Sequence, residues 1–175
     1  VDDRFYGVIG KGLGRYTQKL IESLEDLDNN NNQYFVFLVK DNFGEYVPKS
    51  PNFHKILADY RWYTLAEQTR LPLLLYKHKL DLMHFPHFNV PFFYRKKFIV
   101  TIHDLILIHF PTLKGSALNP LFYWIKFLFY KIVIKSAINR SEKIIAVSNF
   151  TKNDILNNYK IDTDKIIVTY EACDD

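Results

Sequence analysis

The chain is short of the residues on which several kinds of protein depend. It has a single cysteine, Cys173, in 175 residues. An internal disulfide framework is excluded, and a reducing, cytoplasmic compartment is the expectation. Six histidines and that one cysteine never cluster as paired ligands, so spacing of the zinc kind is absent too. No apolar leader with a cleavage site opens the chain. There is no initiator methionine, and Val1-Asp2-Asp3-Arg4-Phe5 reads as the tail of a strand, as if cut from a longer protein. A dense basic stripe interleaved with stacking aromatics is missing, which leaves no nucleic-acid-binding module.

What remains is a globular composition. Hydrophobic residues make up 48% of the chain and aromatics 17%, enough for one domain with a sizeable core and too little chain for two ordinary ones. The 23 basic and 19 acidic residues leave a mild net charge of +4. That excess is compatible with phosphate-bearing ligands or an anionic surface and points to neither.

The most informative stretch is Lys97 to Leu105, KFIVTIHDL. A β-branched run without polar alternation suits a strand covered on both faces, as in a parallel sheet flanked by helices. Ligands of such sheets gather beyond the carboxyl ends of the strands. His103 and Asp104 stand where this strand should end. Either they face a ligand crevice, or His103 simply caps the strand through backbone hydrogen bonds.

Ahead of it, Gly10-Lys11-Gly12-Leu13-Gly14 reads as a loop opening a helix. Leu13, Tyr16, Thr17, Leu20, Ile21, Leu24 and Leu27 recur on one helical face. A helix start offers unpaired N–H groups and the positive end of a dipole to phosphate. Arg15 stands where a dinucleotide fingerprint requires a small residue, so that fingerprint is broken and a plain flexible loop stays open. Strands are expected at Gln33–Val39, Phe53–Leu57, Asp81–Phe85, Lys143–Val147 and Lys165–Tyr170. A helix over Arg61–His78 should carry Trp62, Leu65, Ala66 and Thr69 on one side and be kinked or split by Pro72. Thr151-x-x-Asp154 resembles a capping box that starts a helix running to Tyr159.

Asn119–Arg140, NPLFYWIKFLFYKIVIKSAINR, reads as a helix more apolar than a surface helix should be. Lys126, Lys131 and Lys135 interrupt it, and each costs about 2.5–3.5 kcal/mol near mid-bilayer, which argues against a membrane span. Neighbouring helices are the expected cover; the remainder of the protein or the inner surface of a membrane are the alternatives. Alternating strands and helices throughout predict an α/β, doubly wound, mostly parallel Rossmann-like sheet.

Six segments in order, GLGRYTQKLIESL, EQTRLPLLL, DLMHFPHFNVP, VTIHDL, IIAVSNFTKNDIL and KIIVTYEACDD, give the chain a family likeness. It resembles the N-terminal half of retaining, nucleotide-sugar-dependent glycosyltransferases of family four, mannosyltransferase-like members above all, which have the two-domain GT-B architecture. The resemblance implies a Rossmann-like acceptor-side domain over residues 1–170 and the start of a linker at 171–175. A C-terminal domain, absent from this chain, would bind the donor, and the fragment alone would then be inactive. It implies that Gly12 and Gly14 approach the donor diphosphate, that His103 faces the reacting sugar with Asp104 beside it, either fixing the imidazole tautomer or terminating the strand, and that His84, His87 and Tyr16 contact the acceptor. Glu67 and Gln68 match a motif that helix packing explains equally well. The reaction implied needs no metal and no resident cofactor. A sugar nucleotide and a saccharide or lipid-linked acceptor are the partners. The same residues leave open a non-catalytic binding module and, less well supported, a dinucleotide-dependent oxidoreductase.

Overall fold

The computed structural model describes residues 1–28, 31–111 and 119–171. Cys173, and with it most of the 171–175 stretch expected to begin a linker, lies outside the described residues. The chain divides into two compact units, Val1–Pro86 and His87–Asp175.

The first unit contains α1 (Lys11–Leu27), β1 (Tyr34–Leu38), β2 (Phe53–Leu57), α2 (Leu65–Lys77) and β3 (Met83–Phe85). Strands β1 and β2 pair in parallel, with Tyr34 opposite Phe53 and Leu38 opposite Leu57. The opening residues are extended, as expected of a strand's tail: Asp2 bridges Phe37, and its N–H donates to the His84 carbonyl at 2.9 Å. Tyr6, Ile21, Val36, Leu38, Tyr46 and Phe53 form the apolar core.

Two expectations for this unit need correction. The helix begins at Lys11, after a 3-10 turn over Gly7–Gly10, so Gly12 and Gly14 lie inside its first turns rather than in a loop before it. Helix α2 starts at Leu65 and runs through Pro72 as one element. Its buried face is Glu67, Leu71, Pro72 and Leu75, while Leu65 is 85% exposed. The cause is electrostatic. Glu67 Oε1 accepts from Arg4 Nη2 at 2.8 Å and Oε2 from the Tyr63 N–H at 2.6 Å, which turns this carboxylate inward.

The second unit contains β4 (Phe98–Ile102), α3 (Ile106–His109), α4 (Pro120–Arg140), β5 (Lys143–Ala146), α5 (Asn149–Asn158) and β6 (Ile166–Val168). Strand β4 pairs with β5 and β5 with β6, both in parallel. Phe98, Val100, Thr101 and Ile102 are buried, as an unalternated run requires. The parallel sheets and intervening helices make this an α/β fold, the class expected.

Helix α5 is capped one turn earlier than the sequence pattern indicates. Ser148 Oγ accepts from the Thr151 N–H at 3.0 Å, and Thr151 itself is buried. Helix α4 is where expected, with the Asn119 side chain accepting from the Leu121 N–H. Its cover is not. Among its described side chains only Ile134, Ala137 and Ile138, near its end, are fully buried, and Phe122, Trp124 and Phe129 remain 49–62% exposed. No helix among the described residues is long and apolar enough to cross a membrane.

Candidate functional site

In the second unit three parallel strands deliver their carboxyl ends side by side, and polar side chains follow each. His103 comes directly after β4, Ser148 two residues after β5, and Glu171 three residues after β6. His103 Nδ1 lies 2.9 Å from Glu171 Oε1. Thr151 Oγ1 donates to the His103 carbonyl at 3.0 Å and sits 3.0 Å from Ser148 Oγ. The imidazole is thus fixed twice, at its backbone by α5 and at its ring by the residue after β6. A carboxylate on Nδ1 selects the tautomer that carries its proton there, so that Nε2 is the basic nitrogen. His103 is partly exposed, its side chain at 23%.

Asp104 is engaged locally. Its Oδ1 accepts from the Ile106 N–H at 2.9 Å and starts α3. The tautomer-fixing partner is Glu171, 68 positions away in sequence, which local reading had no means of finding. A second pair, His109 Nε2 to Asp154 Oδ1 at 2.7 Å, ties α3 to α5. His87 opens this unit, with its ring centroid 4.0 Å from that of Phe88.

The remaining residues expected at a site are in the first unit. Gly12 is exposed, and a Cβ built on it would meet nothing within 4 Å, so its backbone is open to approach. Gly14 is buried, and a Cβ there would lie 2.0 Å from the Gly7 carbonyl oxygen and 2.5 Å from that of Phe5. Its lack of a side chain is demanded by the turn folded against it. Tyr16 is half-buried on α1, and His84 lies within β3 at 9% exposure.

The turn before α1 is held from beneath. Asn42 Nδ2 lies 3.1–3.2 Å from the carbonyl oxygens of Asp3, Arg4 and Tyr6. Arg4, wholly buried, pairs with Asp2 through Nε at 2.7 Å and Nη2 at 2.8 Å, with Glu67, and with the Tyr60 carbonyl at 2.9 Å. Burial pushes the Asp3 carboxyl well above the usual carboxylate range. Lys11, at the helix start, has φ of 52°, a left-handed conformation uncommon for a residue with a side chain. Among the described residues no three His, Cys, Asp or Glu side chains gather where a metal ion could be held.

The family model described as Glycosyltransferase Family 4 matches residues 10–175. No curated protein matches the chain.

Proposed function

The chain belongs to glycosyltransferase family 4, and on that premise we propose that it forms the acceptor-side domain of an enzyme moving a hexosyl group, mannosyl-like, from a sugar nucleotide. The acceptor is a saccharide or lipid-linked hydroxyl, and the anomeric configuration is retained. A further domain holds most of the donor, so residues 1–175 alone bind acceptor without turning over. The sugar nucleotide is a co-substrate, and no metal or resident cofactor takes part.

The observation that carries this reading is the His103–Glu171 pair beyond the carboxyl ends of β4 and β6, the two parallel strands that flank β5. In this reading His103 hydrogen-bonds the sugar being transferred or its acceptor, and Glu171 holds the ring in the required tautomer. Asp104 acts by shaping the turn into α3. Gly12 brings its backbone toward the donor diphosphate, and Gly14 supports it by letting the preceding turn pack close. His87, Tyr16 and the deeper His84 belong to the acceptor side.

The test is His103→Ala in the two-domain enzyme. Loss of a positioned donor should lower turnover about a hundredfold or more. The fold should persist, because a polar side chain at an exposed strand end contributes little packing. A variant that unfolds makes His103 structural. One that folds and keeps its turnover moves the site elsewhere, with His84 and His87 next in line.

A further inference from the structure

Helix α4 has an exposed face whose composition is specific. Leu121, Phe122, Trp124, Leu128, Phe129 and Ile132 are each 45–67% exposed. At about 100° per residue they occupy one arc of roughly 160°, running some 17 Å along the helix. Lys126 falls just outside one margin of that arc and Lys131 just outside the other. No acidic residue occurs anywhere in residues 120–140, which carry Lys126, Lys131, Lys135 and Arg140. The opposite side is the covered one, through Ile134, Ala137 and Ile138 and the Phe88–Tyr130 ring contact at 4.9 Å.

The charge follows the same division. Residues 1–86 hold eleven basic and eleven acidic side chains, whereas 87–175 hold twelve and eight, so the whole net charge of +4 belongs to the second unit. Arg140, in the last turn of α4, donates to the Phe92 carbonyl at 3.1 Å and to that of Tyr94. These bonds bring an exposed Arg95-Lys96-Lys97 run against the same helix.

We infer that this face of α4 lies in the surface of an anionic phospholipid bilayer. An aromatic and leucine-rich arc enters the boundary between headgroups and acyl chains. The marginal lysines extend their alkyl stems along it and place their ammonium groups among the phosphates. The same lysines that argue against a span are suited to this position. A second copy of the chain is a poorer occupant, because a two-fold seam along this arc sets lysines against lysines with no carboxylate from either helix. The inference is independent of the transferase reading, since it concerns partition and requires neither donor nor acceptor.

The test uses one of the chain's own tryptophans. Trp62 and Trp124 are the only two, and Trp62 is stacked on Phe5 with centroids 4.4 Å apart in the first unit. In the Trp62→Phe variant, vesicles of equal phosphatidylglycerol and phosphatidylcholine should shift Trp124 emission to the blue. Brominated acyl chains should quench it. Co-sedimentation of the unsubstituted chain gives an independent reading if that variant folds poorly. Binding should weaken as salt is raised, and Lys126→Gln with Lys131→Gln should lower it about thirtyfold, at roughly 1 kcal/mol per lysine. Failure to bind anionic vesicles overturns the inference, as does equal, salt-insensitive binding to pure phosphatidylcholine. A concentration-dependent dimer that buries Trp124 without lipid overturns it in favour of a second copy.

Discussion

The two long helices, α1 and α4, reverse the usual relation between apolarity and burial. Helix α1 buries Gly14, Thr17, Ile21 and Glu25, a stripe at spacings of three and four in which only one residue is a large hydrophobe. Helix α4 leaves most of its large hydrophobes in the open. What fixes α1 is hydrogen bonding and close backbone approach. Thr17 Oγ1 donates to the Gly14 carbonyl at 3.0 Å, and Glu25 Oε1 accepts from Tyr46 Oη at 3.0 Å and from the Lys49 N–H at 2.8 Å. Burial there follows from satisfied polar groups around a small apolar core. The first unit is accordingly tight and charge-balanced, and among the described residues the exposed face of α4 is held by nothing comparable.

The largest test of that contrast is Arg4→Met. Arg4 neutralises Asp2 and Glu67 with all three side chains buried, the two acids at 5% and 0% exposure. Removing one partner of a buried ionic cluster leaves uncompensated charge and should cost about 3–5 kcal/mol. A urea titration reads the loss directly. If the midpoint hardly moved, the first unit would owe its order to something other than this cluster.

Next in size is a pair of glycines two positions apart on α1. Gly14→Ala drives a Cβ into two carbonyl oxygens of the preceding turn and should destabilise by about 1–3 kcal/mol, the range for overpacking. Gly12→Ala meets open space and, within a helix, should be neutral or stabilising by about 0.5–1 kcal/mol. Equal effects at the two positions would refute the distinction between a packed glycine and an open one.

These glycines also mark how far the sequence could be read. The strand at Phe53–Leu57 and the run ending before His103 were legible because β-branched and aromatic runs carry their own boundaries. The place of His103 just beyond the carboxyl end of β4 followed from the same run. Its partner did not, because Glu171 acquires meaning only when β6 is placed beside β5. The buried face of α2 was misread for a similar reason. Periodicity favoured Trp62, Leu65, Ala66 and Thr69, but Arg4 claims Glu67 from 63 positions away. Ser148 as the cap of α5 was within reach, since a serine preceded Thr151 by three. Local patterns reveal elements; long-range pairs choose their faces.

A smaller effect separates the units by pH. The Asp3 carboxyl is fully buried, and that burial is the largest influence on it and raises its pKa. The folded chain therefore holds this proton to higher pH than the unfolded chain does. The resulting stability is full below the ordinary aspartate range and is lost as pH climbs through the raised value. Asp3→Asn removes that loss. At neutral pH the variant should be the more stable in urea titration, and the gain should vanish below about pH 4, the ordinary aspartate range. A variant less stable at neutral pH would mean that Asp3 is ionised and paired in the folded chain.

The smallest effect tests the other side of the comparison. Phe129 is 62% exposed on the open arc of α4. Were this half of the helix covered by its own domain, replacing the ring with a polar side chain would cost about 3–5 kcal/mol, as for any buried phenylalanine. With the ring in solvent, Phe129→Gln should change stability by no more than about 0.5 kcal/mol, and glutamine's good helix propensity keeps the helix intact. The measurement is thermal or urea unfolding without lipid, so that only the chain's own packing is read. A loss of several kcal/mol would show that α4 is covered, making the two helices alike in burial and leaving no open face for a partner.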